Sequence, residues 1–151
     1  MSAAALVDTN VLIYAFDDDE QDKRIRALTV LDSLVRGARG AVSAQVLGEF
    51  YSVLSRRFRH RMTPEAAADH VRDWSDALVA HDTSVPVVLE ALRGCIRYQM
   101  PYYDAQIWAV ARVHHIPLVL SEDFADGAVI EGVRFADPFA EGFDLEAELA
   151  R

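Results

Sequence analysis

Two kinds of hydrophobic pattern alternate along this chain. Short apolar runs are typical of buried strands, whereas apolar residues that recur every three or four positions predict helices with one buried face. Strands are predicted at residues 3–7, 41–43, 118–120 and 132–136. Helices are predicted directly after Asp8-Thr9-Asn10 and then at residues 21–36, 43–54, 63–78, 86–98 and 103–115. This alternation favours an α/β fold, a sandwich around a mainly parallel sheet.

Two of the predicted helices carry more detailed expectations. The second one repeats Ile25, Leu28, Leu31 and Val35 at helical spacing, and its apolar side chains, or those of the helix that carries residues 46–54, could be covered by a helix of a partner protein. The last one, residues 103–115, is apolar on nearly all sides. A helix of that kind is expected inside the core.

The composition of the chain indicates one globular domain. With 151 residues, 52% hydrophobic and 26% charged, the chain can form a packed core and is expected to fold as one domain over residues 1–151. No apolar run approaches the ~20 residues of a membrane span. The start, residues 1–5, lacks the basic segment of a secretory signal, so we expect a cytoplasmic protein. The single cysteine, Cys95, excludes an intramolecular disulfide and forms no zinc site by itself.

The formal net charge of −9 argues at first against nucleic acid, since phosphate binding normally needs a basic surface. The charges are unevenly distributed, however, because many acids lie in residues 17–20 and after residue 137. Four arginines, called the arginine cluster below, lie close together: Arg56, Arg57, Arg59 and Arg61. This cluster could contact an RNA backbone, with Phe58 available for stacking. It could equally be a helix C-terminus, where cations are favoured by the helix dipole.

Acidic residues that could carry chemistry lie at four separate places. Asp8 follows the first predicted strand, at the sheet edge where ligand crevices form in parallel sheets. Its alternative role, shared with Asn10, is to cap the next helix. Glu49 lies beside the apolar stripe of its helix, where a carboxylate is partly shielded from water, although an exposed helical glutamate is the other interpretation.

The third and fourth places lie late in the chain. Asp104 opens the helix that is apolar on every side, and a buried carboxylate needs a cation or several donors. Its other interpretation is a first-turn aspartate favoured by the helix dipole. The last place is Ser121-Glu122-Asp123 together with Asp126, directly after the strand at residues 118–120. These residues could also form an ordinary polar turn.

Four acidic groups at one crevice would repel one another unless a metal ion neutralised them. Oxygen ligands without nitrogen or sulfur select hard cations such as Mg²⁺ or Mn²⁺. Such an ion can hold a phosphodiester and activate water, which is the chemistry of metal-assisted phosphoryl transfer.

With these four places in view, the sequence resembles the PIN-domain nucleases. The resemblance spans residues 7–139, and the order and separation of all four blocks agree with the family pattern. The blocks are Val7-Asp8-Thr9-Asn10-Val11-Leu12, Gln45-Val46-Leu47-Gly48-Glu49-Phe50, Tyr103-Asp104-Ala105 and Leu120-Ser121-Glu122-Asp123. Ser121 stands where threonine is common in the family.

The resemblance implies a three-layer α/β/α sandwich and a ribonuclease that depends on Mg²⁺ or Mn²⁺. It implies that four carboxylates are the catalytic metal ligands, namely Asp8, Glu49, Asp104 and Asp123. Asn10 and Ser121 would support the site, and Asp126 could share or replace the role of Asp123. Compact members of the family resemble VapC-type toxins, which implies RNA as substrate, a small antitoxin protein as partner, and a homodimer.

Other functions compete with this interpretation. A housekeeping PIN-type ribonuclease would have no antitoxin, and a catalytically inactive PIN-like subunit would only bind. A receiver-like signalling domain would share the size, acidity and α/β pattern, and would bind Mg²⁺. That class needs a lysine after a late strand, whereas Lys23, the only lysine, lies in an early predicted helix. A metal-free ribonuclease would need paired histidines, which the sequence does not favour.

Overall fold

The computed structural model describes residues 3–151. Met1 and Ser2, part of the segment considered above for a secretory signal, lie outside the described residues. Within residues 3–151 the strands are β1 (Ala5–Val7), β2 (Gly40–Ser43), β3 (Val79–His81), β4 (Leu118–Leu120), β5 (Val129–Ile130) and β6 (Val133–Ala136). They form a six-stranded sheet in the order β3-β2-β1-β4-β6-β5. All neighbours in this sheet run parallel except β5 and β6, which are antiparallel.

The same described residues contain seven helices. They are α1 (Thr9–Tyr14), α2 (Gln21–Arg36), α3 (Ala44–Arg57), α4 (Pro64–Ala77), α5 (Val85–Tyr98), α6 (Tyr102–Val113) and α7 (Leu145–Leu149). None of the helices described in residues 3–151 is both long enough and apolar enough to cross a bilayer. The α/β class and the mainly parallel central sheet predicted from the sequence are confirmed.

Three elements were missing from the sequence prediction. Strands β3 and β5 are short and largely exposed, so they carry no apolar run that would mark them as strands. Helix α7 has only 5 residues, fewer than two turns, which is too short for a clear helical period. These elements lie at the two edges of the sheet and near the end of the chain, where few side chains are buried.

The apolar residues that recur along α2 are only partly buried. Leu31 is buried, but Ile25 is 61% exposed and Leu28 is 43% exposed. The sheet side of the helix is formed instead by Ala27, Val30, Leu31 and Leu34. The helix carries two apolar stripes about one residue apart, and the stripe with the smaller alanine faces the sheet, where backbones approach closely. The other stripe is left at the surface.

Helix α6 is buried as the sequence predicts. Every residue from Ala105 to Ala111 is buried, and the indole Nε1 of Trp108 donates a hydrogen bond to the carbonyl of Ile130 at 3.1 Å. Helix α5 packs against it through Gly94, at which a Cβ atom would lie 2.7 Å from Cζ3 of Trp108. This close contact fixes the start of α6, which carries Asp104, relative to α5.

The contact at Gly94 predicts that Gly94→Ala destabilises the protein, although alanine is the better helix former. The added methyl would overlap the Trp108 ring, and overpacking of this kind typically costs about 1–3 kcal/mol. A matched control is Gly48→Ala in α3, where no atom lies within 4 Å of the added Cβ, and it should stabilise by about 1 kcal/mol. Urea unfolding measures both values. Equal stabilisation by the two variants would contradict the packing argument.

Candidate active site

Asp8 lies where β1 ends and α1 begins. Its backbone N–H donates to the carbonyl of Leu120 at 3.0 Å, which joins the ends of β1 and β4. Its carboxylate accepts a hydrogen bond from the backbone N–H of Thr9 at 2.7 Å and another from Oγ of Ser121 at 2.7 Å. The side chain therefore caps α1, as one interpretation predicted, and at the same time faces the carboxyl ends of two strands.

The carboxylate of Asp8 is only 5% exposed, and this burial has an electrostatic consequence. Burial raises the pKa of Asp8 to about 6, against the opposing effect of its hydrogen bonds from Ser121 and Thr9. The negative charges of Asp123 and Glu49 raise the pKa further. Asp8 therefore interacts electrostatically with both of these acids.

Glu49 faces the same edge from α3. Its carboxylate accepts from Oγ1 of Thr9 at 2.9 Å and from Nε2 of Gln45 at 3.0 Å. Gln45 is held in turn by the buried Gln106, whose Nε2 donates to its Oε1 at 2.7 Å. Glu49 is thus half-buried and oriented by neutral donors from α1 and α3, not by a cation.

Asp104 lies in the first turn of α6 and is half-buried. Burial raises the pKa of its carboxyl group, and the charges of Asp123 and Glu49 raise it as well. Among the hydrogen bonds and ion pairs within residues 3–151, none involves the Asp104 carboxylate. Its oxygens are therefore available to an incoming group.

Asp123 is exposed and is placed by Asn10. The side-chain Nδ2 of Asn10 lies 3.2 Å from Oδ2 of Asp123, 3.1 Å from Oγ of Ser121 and 3.4 Å from Oδ2 of Asp8. The backbone N–H of Asp123 also donates to Oγ of Ser121 at 3.1 Å. Asn10 and Ser121 thus lie between the two aspartates and connect them through neutral groups.

The other acids of the last block have different partners. Asp126 accepts a hydrogen bond from the backbone N–H of Asp137 at 3.0 Å, which stabilises the turn beyond the site. Glu122 forms an ion pair with Lys23 at 2.9 Å. Asp123, in contrast, contributes to the raised pKa of both Asp8 and Asp104. Its role as a ligand, and the alternative role of Asp126, stay predictions, but the contacts favour Asp123.

The four predicted carboxylates share one environment that no cation neutralises. Within residues 3–151, none of the ion pairs involves any of the four, called the acidic cluster below: Asp8, Glu49, Asp104 and Asp123. The donors are all oxygen atoms, which suits Mg²⁺ or Mn²⁺. As the side chains stand, no three acids or histidines among the described residues form a closed metal cage.

The structure divides the arginine cluster into two pairs. Arg57 binds the buried Asp17 at 2.6 Å, and Arg61 binds Asp18 and the carbonyl of Phe16. Arg56 and Arg59 are exposed and form no ion pair within residues 3–151. The expectation that Phe58 is available for stacking is wrong, because its ring is buried at the end of α3.

Sequence reasoning missed the neutral donors of the site. Thr9 and Gln45 bind Glu49, and Gln106 orients Gln45. Two of these donors could have been predicted from their position in the sequence: Thr9 directly follows Asp8, and Gln45 precedes Glu49 by one helical turn. The pairing of Lys23 with Glu122 bridges residues that are far apart in the sequence and could not be predicted in this way.

The raised pKa of Asp8 predicts that the metal-free protein loses stability as the pH rises. The pKa of Asp8 is 3.8 in the unfolded chain and about 6 in the folded protein. Its contribution to the free energy of unfolding is therefore complete below pH 3.8 and is lost as the pH rises through the folded pKa. The loss is at most about 3 kcal/mol. Asp8→Asn cannot ionise and should become more stable relative to the original protein over this interval. Urea unfolding in chelator at several pH values measures this difference, and a constant difference would contradict the raised pKa.

Comparison with known proteins places this site in a family. The sequence model of the PIN domain matches residues 5–125, which contain all four carboxylates of the acidic cluster. No curated protein sequence matches the chain significantly.

Several solved structures share the fold. A toxin–antitoxin complex from Klebsiella pneumoniae is 22% identical, with a TM-score of 0.66 over 89% of this chain and 97% of that chain. DNA-bound VapBC from Salmonella typhimurium is 18% identical, with a TM-score of 0.65 over 90% and 98%. Mycobacterium tuberculosis VapC20, described as a sarcin–ricin loop cleaving toxin, is 20% identical, with a TM-score of 0.56 over 76% and 86%. Because the family match covers most of the residues, from the first strand to the last acidic block, the chain belongs to the PIN domain family.

Proposed function

We propose that this protein is an endoribonuclease that hydrolyses RNA phosphodiester bonds with the help of Mg²⁺ or Mn²⁺. The observation that carries the proposal is the acidic cluster, in which Asp8 and Asp104 have raised pKa values and no cation balances the charge. A group of carboxylates kept in this state favours binding of a hard cation. Membership of a family whose other members are known as nucleases supports the same conclusion.

The roles of the chain's own residues follow from their contacts. Asp8, Glu49, Asp104 and Asp123 would hold the ion. A divalent ion in this position supplies a binding point for a phosphate oxygen and activates a water molecule. The neutral donors around the carboxylates orient them without adding charge: Thr9, Asn10, Gln45 and Ser121. Attack by water, not by the ribose 2′-hydroxyl, leaves a 5′-phosphate and a 3′-hydroxyl.

The comparisons support RNA as the substrate and a toxin as the biological role. The similar M. tuberculosis protein is described as a toxin that cleaves the sarcin–ricin loop, and two similar structures contain a toxin with its antitoxin. Arg56 and Arg59 remain candidates for contacts with the RNA backbone, since they are exposed and form no ion pair within the described residues. Arg57 and Arg61 are less suited, because they already bind Asp17 and Asp18.

A groove between α2 and α4 of this protein is suited to binding an antitoxin. The exposed stripe of α2 and the neighbouring face of α4 enclose a cavity of about 280 Å³, lined by Leu28, Val35, Trp74 and Ala77 among others. We propose that an amphipathic helix of a small antitoxin lies in this groove. An arginine of the same protein would fit the acidic cluster, because a guanidinium binds pairs of carboxylates.

A second copy of the chain is the proposed partner of α5. Four residues at successive turns form one exposed apolar stripe: Val85, Leu89, Leu92 and Ile96, which are 71%, 60%, 44% and 84% exposed. Beside this stripe, Arg93 binds Glu90 at 2.6 Å, whereas within residues 3–151 Arg97 forms no ion pair and donates a hydrogen bond to the hydroxyl of Tyr98. An apolar stripe about 16 Å long can pack against itself around a two-fold axis. This arrangement supports the homodimer.

Two alternatives predict different behaviour. A housekeeping PIN-type ribonuclease would cleave RNA but would need no antitoxin. A non-catalytic Mg²⁺-binding subunit would bind an ion without cleavage. The receiver-like alternative loses its basis, because the chain belongs to the PIN domain family and its one lysine pairs with Glu122.

The proposed chemistry predicts cleavage of RNA that requires Mg²⁺ or Mn²⁺ and stops in EDTA. Asp8→Asn, Glu49→Gln, Asp104→Asn and Asp123→Asn should each lower the rate by about 100-fold or more, because each removes a ligand charge. Asp126→Asn is the matched control within the last block and should have a much smaller effect. Sequencing of the RNA ends should find 5′-phosphates. Full activity in excess chelator, or products with cyclic phosphates, would contradict the mechanism.

The proposed role as a toxin predicts that expression arrests growth and that co-expression with the small neighbouring open reading frame restores it. Leu28→Asp should remain toxic but lose the rescue, because a charge would enter the α2–α4 groove. Leu92→Asp is the matched control on α5, with 44% exposure against 43% for Leu28, and it should keep the rescue but weaken the dimer in sedimentation. A harmless protein that always purifies without a partner favours the housekeeping ribonuclease.

A further inference from the structure

Lys23, Tyr14 and Glu122 form a hydrogen-bonded group that joins α1 and α2 to the last acidic block. The ammonium of Lys23 lies 2.9 Å from Oε2 of Glu122 and 3.2 Å from the hydroxyl of Tyr14. The Tyr14 hydroxyl donates to Oε1 of Glu122 at 2.8 Å. Each member thus binds the other two, and we call this group the lysine bridge.

The lysine bridge is more restrained than an ordinary surface ion pair. The side chains of Lys23 and Glu122 are 35% and 23% exposed, compared with 79% and 60% for Arg36 and Asp32 on the same helix. The ammonium also lies over the Tyr14 ring, 4.6 Å from its centroid. Partial burial, two acceptors and an aromatic face hold the ammonium in one place.

Glu122 lies between two residues of the candidate site, Ser121 and Asp123. Its backbone N–H donates to Oδ1 of Asn10 at 3.3 Å, while Nδ2 of the same amide binds Asp123. Asp123 itself is exposed, so burial contributes little to its position. Its place depends on the loop that carries it, and that loop is held by Asn10 on one side and by the lysine bridge on the other.

We propose that Lys23 and Tyr14 are positioning residues, which hold Glu122 so that the loop presents Asp123 to the acidic cluster and the Glu122 charge stays outside it. This inference rests on the proposed function, since it assigns the group a role in binding the ion. Without the lysine bridge, a fifth carboxylate would be unpaired beside four that already repel one another. With it, only the intended acids face the crevice.

Binding of Mn²⁺ to the purified full chain, followed by electron paramagnetic resonance or calorimetry without RNA, tests the proposal. Glu122→Ala removes the anchor of the loop and leaves the Lys23 ammonium unpaired near the cluster, and both effects oppose cation binding. The dissociation constant should rise by about tenfold, as is typical when a partner of metal ligands is removed. Tyr14→Phe, which loses only the hydroxyl, should give a smaller rise. Lys23→Met removes a positive charge, which by itself favours the cation, so a rise in its dissociation constant would report lost positioning of the loop. Lys23→Arg keeps the ion pair with Glu122 and should avoid most of that rise.

A second measurement needs no metal. Hydrogen exchange at the Asp123 amide, which is bonded to Ser121, should be faster in Glu122→Ala than in the original protein. Arg36→Met is the control, because it breaks an ion pair on the same helix away from the site. It should change neither the dissociation constant for Mn²⁺ nor the exchange rate of the Asp123 amide. If Glu122→Ala does not fold, Tyr14→Phe decides the question.

The outcomes separate this inference from the proposed function. An original protein that binds neither Mn²⁺ nor Mg²⁺ overturns both. An original protein that binds Mn²⁺, together with variants whose affinity stays within about twofold and whose amide exchange is unchanged, overturns the positioning role alone.

Discussion

Repulsion among four carboxylates at one edge of the sheet is the constraint that organises the rest of this molecule. The parallel order of β1 and β4 places Asp8 and the last acidic block at adjacent strand ends. Helices α3 and α6 add Glu49 and Asp104 to the same crevice. Burial is the main cause of the raised pKa of Asp8, and the charges of Asp123 and Glu49 raise it further, so keeping this carboxylate ionised costs free energy. A fold that accepts such a cost must recover stability elsewhere, here in a core built around the buried α6.

Neutral donors and cations bind different acids around this crevice. The acids inside it receive hydrogen bonds from hydroxyl, amide and backbone groups, which orient them but leave their charge unbalanced. The acids just outside it receive cations, as Lys23 pairs with Glu122 and Arg57 pairs with Asp17. Within residues 3–151, the four acids of the acidic cluster are among those that form no ion pair.

The places of Asp8 and Asp104 in the fold could be predicted from the sequence, whereas the exposed face of α2 could not; that these acids bind metal stays a prediction. Asp8 and Asp104 lie beside apolar runs whose structure is determined by local pattern, so their positions follow from the strand and the helix that carry them. The faces of α2 could not be predicted in this way, because two apolar stripes compete and only packing against the sheet selects one. Tertiary pairing also decided which acids of the last block face the crevice, and the ion pair between Lys23 and Glu122 has no local signature.

Helix α2 connects the proposed docking groove with the loop that carries Asp123. One side of this helix packs on the sheet, its exposed stripe lines the groove with α4, and Lys23 near its start reaches the loop of Asp123. Lys23 and Leu28 are separated by five residues, which is about 7.5 Å along a helix. The groove and the lysine bridge therefore lie about one and a half turns apart on the same helix. If the proposed function is correct, a guanidinium carried by the proposed antitoxin would compete with the divalent ion for the carboxylate oxygens of the acidic cluster, because a guanidinium binds pairs of carboxylates.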